Sequence, residues 1–154
     1  MKAASINEIK AELEQRSHKE LLGLCMSLAK FKKENKELCT FILFEECNLT
    51  AYVENVKNEM TQHFEEINNS NVYYIKKSVR KILRNVSKQI KFAALKQVEA
   101  ELLIHFCNSF TSFSIPIEQS IQLKRLYENQ LHKIDLAIAS LHPALQYDLR
   151  KQMY

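Results

Sequence analysis

The stretch that decides the fold runs from Val72 to Phe110, VYYIKKSVRKILRNVSKQIKFAALKQVEAELLIHFCNSF, without a glycine or a proline. Unbroken, it would form a helix nearly 60 Å long at about 1.5 Å per residue, twice the diameter of a small domain. The phase of its apolar residues shows where it divides. At 100° per residue, Val72, Ile75, Val79, Ile82, Leu83, Val86 and Ile90 fall within about 100° of arc. Leu95, Val98, Leu102, Phe106 and Phe110 lie on another arc, rotated by more than about 90°. A break or sharp bend therefore belongs between Lys91 and Leu95.

Helical periodicity extends outward from this pair in both directions. Upstream, Ser5-x-x-Glu8 and Ser17-x-x-Glu20 are capping boxes, in which a serine and a glutamate satisfy each other's free amides. They open helices through Ile6, Ile9 and Leu13, and through Leu21, Leu24, Cys25, Leu28 and Phe31, with Lys30, Lys32 and Lys33 in the last turn of the second. A third helix, through Leu38, Phe41, Ile42 and Phe44, is apolar enough to predict burial. Asn48 or Thr50 caps a fourth, carrying Val53, Val56, Met60, Phe64 and Ile67, and Asn68–Asn71 is the clearest loop. Downstream, Ser114 and Pro116 end one helix and start another, because proline is preorganised for a first helical turn. Tyr127, Leu131, Ile134, Ile138 and Leu141 then follow at coiled-coil spacing, with Ile121 and Leu123 upstream. Pro143 stops that helix and opens a short last one through Leu145 and Leu149.

Composition agrees. One glycine, Gly23, and two prolines in 154 residues supply neither the turns of a β or α/β fold nor the glycine-bearing loops that cradle phosphates or expose a nucleophile. The expected fold is all-α: a single domain over residues 1–154, of seven or eight antiparallel helices. Both a stack of α-hairpins and an irregular bundle satisfy the pattern, with the stack favoured. Leu21-Leu22 after Glu20 and Leu102-Leu103 after Glu101, each followed by a cysteine, hint at a repeated helix.

The segments SHKELLGL (17–24), LCTFILF (38–44), YYIKKSVRKIL (73–83) and ELLIHFCNSF (101–110) resemble a small family of uncharacterised all-helical bacterial proteins, a domain of unknown function. The resemblance implies a helical domain of the bacterial cytoplasm and carries no activity or site residue. The cytoplasm is also expected from the absence of a leader-like apolar stretch. The cysteines at 25, 39, 47 and 107 lack any C-x-x-C pair and read as buried, reduced thiols.

Charge supplies the functional signal. Residues 1–70 hold 9 basic and 12 acidic side chains, whereas residues 71–154 hold 13 and 6. Lys76, Lys77, Arg80, Lys81, Arg84, Lys88 and Lys91 follow one another with no intervening acid, on an arc of about 140° beside the apolar stripe. Like charges four apart repel by a few tenths of a kcal/mol. Pairing with Glu54, Glu59, Glu65 and Glu66 is one way to offset this. An acidic protein partner is another, and it gives the leading expectation: a non-enzymatic interaction module using this basic face. Nucleic acid is the alternative partner, limited by a net charge of only +4 and by Tyr73 and Tyr74 as the aromatics available for stacking. No membrane partner is expected, since the core needs the apolar face.

Catalytic signals are weaker. Glu59, His63 and Glu66 share a helix at i, i+4 and i+7, and Glu101 and His105 form a second such pair. Helical metal sites instead use Glu-x-x-His at i, i+3. Glu101 lies far from its helix's apolar arc and should face water, while His63 borders its own arc. Asp135 and Asp148 have no acidic neighbour, and His132 one turn before Asp135 reads as a surface contact. A metal-binding helical-bundle enzyme using His63, Glu59 and Glu66 is the weaker remaining alternative, and no catalytic residue, metal ligand or cofactor is assigned. The narrow seam from Tyr127 to Leu141 is covered either by the helix at 95–110, giving the favoured monomer, or by a second copy through residues 121–141.

Overall fold

The computed structural model describes residues 1–153 and is all-α. Its helices are α1 (Ile6–Glu14), α2 (His18–Phe31), α3 (Lys33–Thr40), α4 (Leu49–Glu65), α5 (Val72–Ala93), α6 (Lys96–Ser112), α7 (Ile121–Ala139) and α8 (Pro143–Lys151). The chain divides into two compact units, Met1–Phe44 and the remainder from Glu45 onward.

In the first unit both capping boxes are formed. Ser5 Oγ and Ser17 Oγ accept from the amides of Glu8 and Glu20, whose carboxylates accept from the serine amides at 2.7 and 2.8 Å. The serine hydroxyls also donate to these carboxylates, and hydroxyl and amide together hold Glu8, and amide and hydroxyl Glu20, below the usual glutamate range. The second helix ends earlier than its sequence suggests. Lys32 is extended (φ −142°, ψ 149°) and forms the link, so Lys33 opens α3 instead of closing α2. Asn35 Nδ2 reaches back across this corner to the Leu28 carbonyl at 2.7 Å.

The expected burial of the third helix is not found. α3 stops at Thr40, a π turn follows over Phe41–Glu45, and Ile42, Leu43 and Phe44 are exposed. Of the apolar residues of 38–44, only Phe41 is buried. A continuous apolar run offers side chains to several directions at once, and only one of them is covered.

The second unit is built around α6. Val98, Leu102, Leu103, Ile104, Phe106, Cys107 and Phe110 are all buried, so α6 is enclosed on nearly every side, packed by α4, α5 and α7. That arrangement is an all-α helical bundle, one of the two architectures expected from sequence. α4 contributes Val53, Val56, Met60 and Phe64, and α5 contributes Ile75, Val79, Ile82 and Val86. Phe64 sits among Phe106, Phe110 and Phe113, with ring centroids 5.6, 6.1 and 5.7 Å away.

The break between α5 and α6 falls where the phase shift places it. Ala94 caps α5 in the left-handed region at φ 52°, an unusual conformation for a residue with a Cβ, and α6 begins at Lys96. Proline misleads at the next boundary. Pro116 precedes only a 3-10 turn, and α7 starts at Ile121, where Ser120 Oγ accepts from the Leu123 amide. Pro143 does open α8, behind His142 as its cap. Ile134 and Ile138 of the α7 seam are fully buried and α7 packs on α6. The seam at 127–141 is thus covered at Ile134 and Ile138, while Tyr127, Leu131 and Leu141 are half-buried.

Candidate functional site

α5 presents two faces of opposite character. Ile75, Val79, Ile82 and Val86 point inward and fix the helix in the bundle. Asn71 Oδ1 caps its first turn from the Tyr73 amide at 2.8 Å. The outward face therefore has a rigid backing. On it, Lys77, Arg80, Lys81, Arg84 and Lys91 are exposed, and Lys76 and Lys88 are half-buried.

The seven cations are not equivalent. Lys76 Nζ and Arg80 Nη2 both donate to Gln122 Oε1 on α7, at 3.3 and 3.1 Å. This neutral acceptor anchors them without cancelling their charge. Among the described residues, Lys77, Lys81, Arg84 and Lys91 form no ion pair. Nor do the acids named from sequence reach α5. Glu54 pairs with Lys57 on its own helix at 2.9 Å, and Glu59, Glu65 and Glu66 are exposed on α4. The physical reason is orientation: α5 turns its apolar stripe, not its cations, toward the bundle. Lys77 to Lys91 spans roughly 21 Å along the helix axis. At its N-terminal end Tyr73 and Tyr74 stand exposed in an edge-on pair, with ring centroids 5.5 Å apart.

The acid–histidine groupings resolve differently. Among the described residues no three His, Cys, Asp or Glu side chains stand together as a metal site. His63 is half-buried while Glu59 and Glu66 are exposed. Glu101 does not face water as expected. Its side chain is largely covered, 3.6 Å from Lys57 Nζ, and it accepts from Gln97 at 2.9 Å. Because α6 is central, even positions off its apolar arc meet a neighbour.

Sequence reasoning missed a polar seam between α4 and α6. Thr61 Oγ1 donates to the Lys57 carbonyl at 3.0 Å and lies 2.9 Å from His105 Nε2, so the imidazole is the donor there. Burial, then the Lys57 cation, lowers the His105 pKa from its ordinary value. A second long-range bond, from the Tyr52 hydroxyl to Gln89 Oε1 at 2.6 Å, joins α4 to α5. Burial, with Glu45 and Glu59 nearby, pushes that phenol up to about 12. Both features brace helices.

The cysteines also depart from expectation. Cys25 and Cys47 are exposed, Cys39 is half-buried, and only Cys107 is buried, its thiol pushed up to about 12 by desolvation. A thiol that resists ionisation is no nucleophile at neutral pH. No helix of the described residues is long and apolar enough to cross a membrane.

No protein family, curated protein or solved structure matches the chain. The functional reading therefore rests on the residues themselves.

Proposed function

We propose that this chain is a non-enzymatic protein-interaction module of the bacterial cytoplasm that docks an acidic partner on the outer face of α5. The observation that carries the reading is the line of exposed cations, Lys77, Lys81, Arg84 and Lys91, without ion-pair partners among the described residues. Such a line repels itself along the helix, and an acidic surface relieves that repulsion while gaining steered association. Four cysteines that form no disulfide suit a reducing compartment.

The test is a titration of the full chain with a labelled polyglutamate peptide, followed by fluorescence anisotropy at low and physiological salt. The triple variant Lys77→Glu, Lys81→Glu, Arg84→Glu should lose at least about tenfold in affinity while keeping its helical circular dichroism. These positions leave the Gln122 anchor intact, so the variant changes charge and not packing. Equal binding by the variant overturns the reading. Nucleic acid is the second reading, favoured by the Tyr73–Tyr74 pair at the end of the line. A single-stranded oligonucleotide that binds more tightly than polyglutamate, and loses affinity on Tyr73→Ala, would put it first.

A further inference from the structure

Lys77, Lys81, Arg84, Lys88 and Lys91 follow one another at spacings of 4, 3, 4 and 3. At 100° per residue they fall within about 80° of arc, and residues seven apart drift by only about 20°. They therefore form one nearly straight line along the unbroken α5, with exposed Tyr73 one turn before Lys77 on the same line. Lys76 and Arg80 lie beside it, held on Gln122 of α7. The backing of the line is fixed, since Ile75, Val79, Ile82 and Val86 are buried beneath it. α5 cannot bend to follow a partner of another pitch.

Resting on the acidic-partner reading, we propose that the occupant of this line is itself an α-helix. It lies along α5 and carries Glu or Asp on one face at the same 4-3-4-3 spacing. The spacing of the cations follows from α5 being a helix; what it selects is a partner that stays in step with it. Acids on one face of a helix advance by about 5.2 Å per step, as the cations do, so each meets its counterpart over the whole line. A left-handed supercoil of the two helices follows the drift of about 20° per heptad.

Other acidic chains fall out of step. An extended strand sets its same-face side chains about 6.7 Å apart. From Lys77 to Lys91 it would overrun the line by roughly 6 Å, more than one full step. A polyproline II segment repeats a face only every 9 Å or so, about every second cation. Side chains that lean to absorb such offsets give up rotamer freedom, which already keeps exposed pairs weak. A flexible chain must also be ordered on docking, whereas a preformed helix is not.

The experiment titrates the full chain, at low ionic strength, with alanine-rich peptides of identical composition and five glutamates each. One is a helix with its glutamates at 4-3-4-3 spacing on one face. A second is equally helical, with the glutamates distributed around it. A third repeats the first sequence with several D-alanines, which abolish the helix. Coil polyglutamate is the reference for acidic binding as such. The one-face helix should bind at least about tenfold more tightly than the other two peptides. Lys77→Gln with Arg84→Gln should remove this preference. Lys76→Gln with Arg80→Gln, the same loss of charge beside the line, should keep it, and circular dichroism should show both variants folded. Equal binding of the three peptides, or a preference that the two double variants affect alike, overturns the helical partner and leaves the acidic-partner reading standing. Failure of every acidic peptide and of polyglutamate to bind, or tighter binding of a single-stranded oligonucleotide, overturns both.

Discussion

α2 and α6 begin with nearly the same words and end in opposite environments. Glu20-Leu21-Leu22 and Glu101-Leu102-Leu103 are each followed by a cysteine on the same helix. Leu22 is 56% exposed and Leu103 is 2% exposed; Cys25 is open to solvent and Cys107 is buried. Local sequence makes both segments helical and both rich in apolar side chains. What separates them is the number of neighbours. α6 meets α4, α5 and α7, whereas within the first unit α2 packs on α3 and shares a groove with α1, each short and each without a buried residue.

The matched leucines give the largest expected difference. Leu103→Ala removes a buried side chain from the centre of the bundle and should cost about 2–5 kcal/mol, the sum of lost transfer energy and the cavity left behind. Leu22→Ala, measured at concentrations too low for association, should change stability by less than about 0.5 kcal/mol, as exposed substitutions do. Urea unfolding of the two variants checks both values. Comparable losses would mean that α2 is covered in the free chain, and the contrast between the helices would fall.

A smaller effect belongs to the seam that joins α4 to α6. Thr61→Val deprives the His105 N–H of its acceptor in a half-buried site and should cost about 1–3 kcal/mol. The same seam should respond to pH. His105 is held below its ordinary pKa of 6.5 by burial and by the Lys57 cation, with a hydrogen bond to the Lys57 backbone and then Glu54 acting in the other direction. Between the folded value and 6.5 the unfolded chain binds the proton that the folded chain refuses. The contribution of His105 is therefore complete above pH 6.5 and is lost as the pH falls through the folded value. Urea midpoints between pH 7.5 and 5 should show this decline, and His105→Gln should remove the part due to the imidazole. An unchanged slope in His105→Gln would show that the seam does not sense protons.

The same contrast explains what the sequence made legible. Helix starts at Ser5, Ser17 and Asn48 could be read because a cap is a bond between residues three apart. The break at Ala94 could be read because a phase shift in the apolar stripe survives whatever packs on it. The cation face of α5 was legible as an acid-free run. Position in the fold was not: nothing local says that α6 is central, that Glu101 is covered by Lys57, or that Ile42 to Phe44 are exposed. His105 and Thr61 lie 44 residues apart. Their meeting depends on how α4 crosses α6, which no spacing along the chain encodes. Pro116 misled for the opposite reason, since its fixed φ suits a 3-10 turn as well as a first α-helical turn.

The smallest predicted effect sharpens the comparison at its small residues. Gly23 lies in the middle of α2 with nothing within 4 Å of the place a Cβ would occupy. It stands about 160° around the helix from Cys25, on the strip with Lys19, Ser27 and Lys30, so a methyl there stands clear of the apolar arc of α2. Ser27 Oγ donates to its carbonyl at 2.9 Å, a bond to the backbone that any residue would retain. Glycine in a helix interior costs about 0.5–1 kcal/mol relative to alanine, chiefly through the freedom of the unfolded chain. Gly23→Ala should therefore stabilise α2 by about that amount, seen as slower hydrogen exchange across Leu21–Phe31 with the oligomeric mass unchanged. The mirror experiment is Ala100→Leu in α6. Ala100 has no exposed surface, so the added atoms must displace a neighbour, at a cost of about 1–3 kcal/mol. Growth that helps in α2 and harms in α6 would show that the two helices differ in what surrounds them. Loss of stability on Gly23→Ala would reveal a close neighbour on the polar strip of α2.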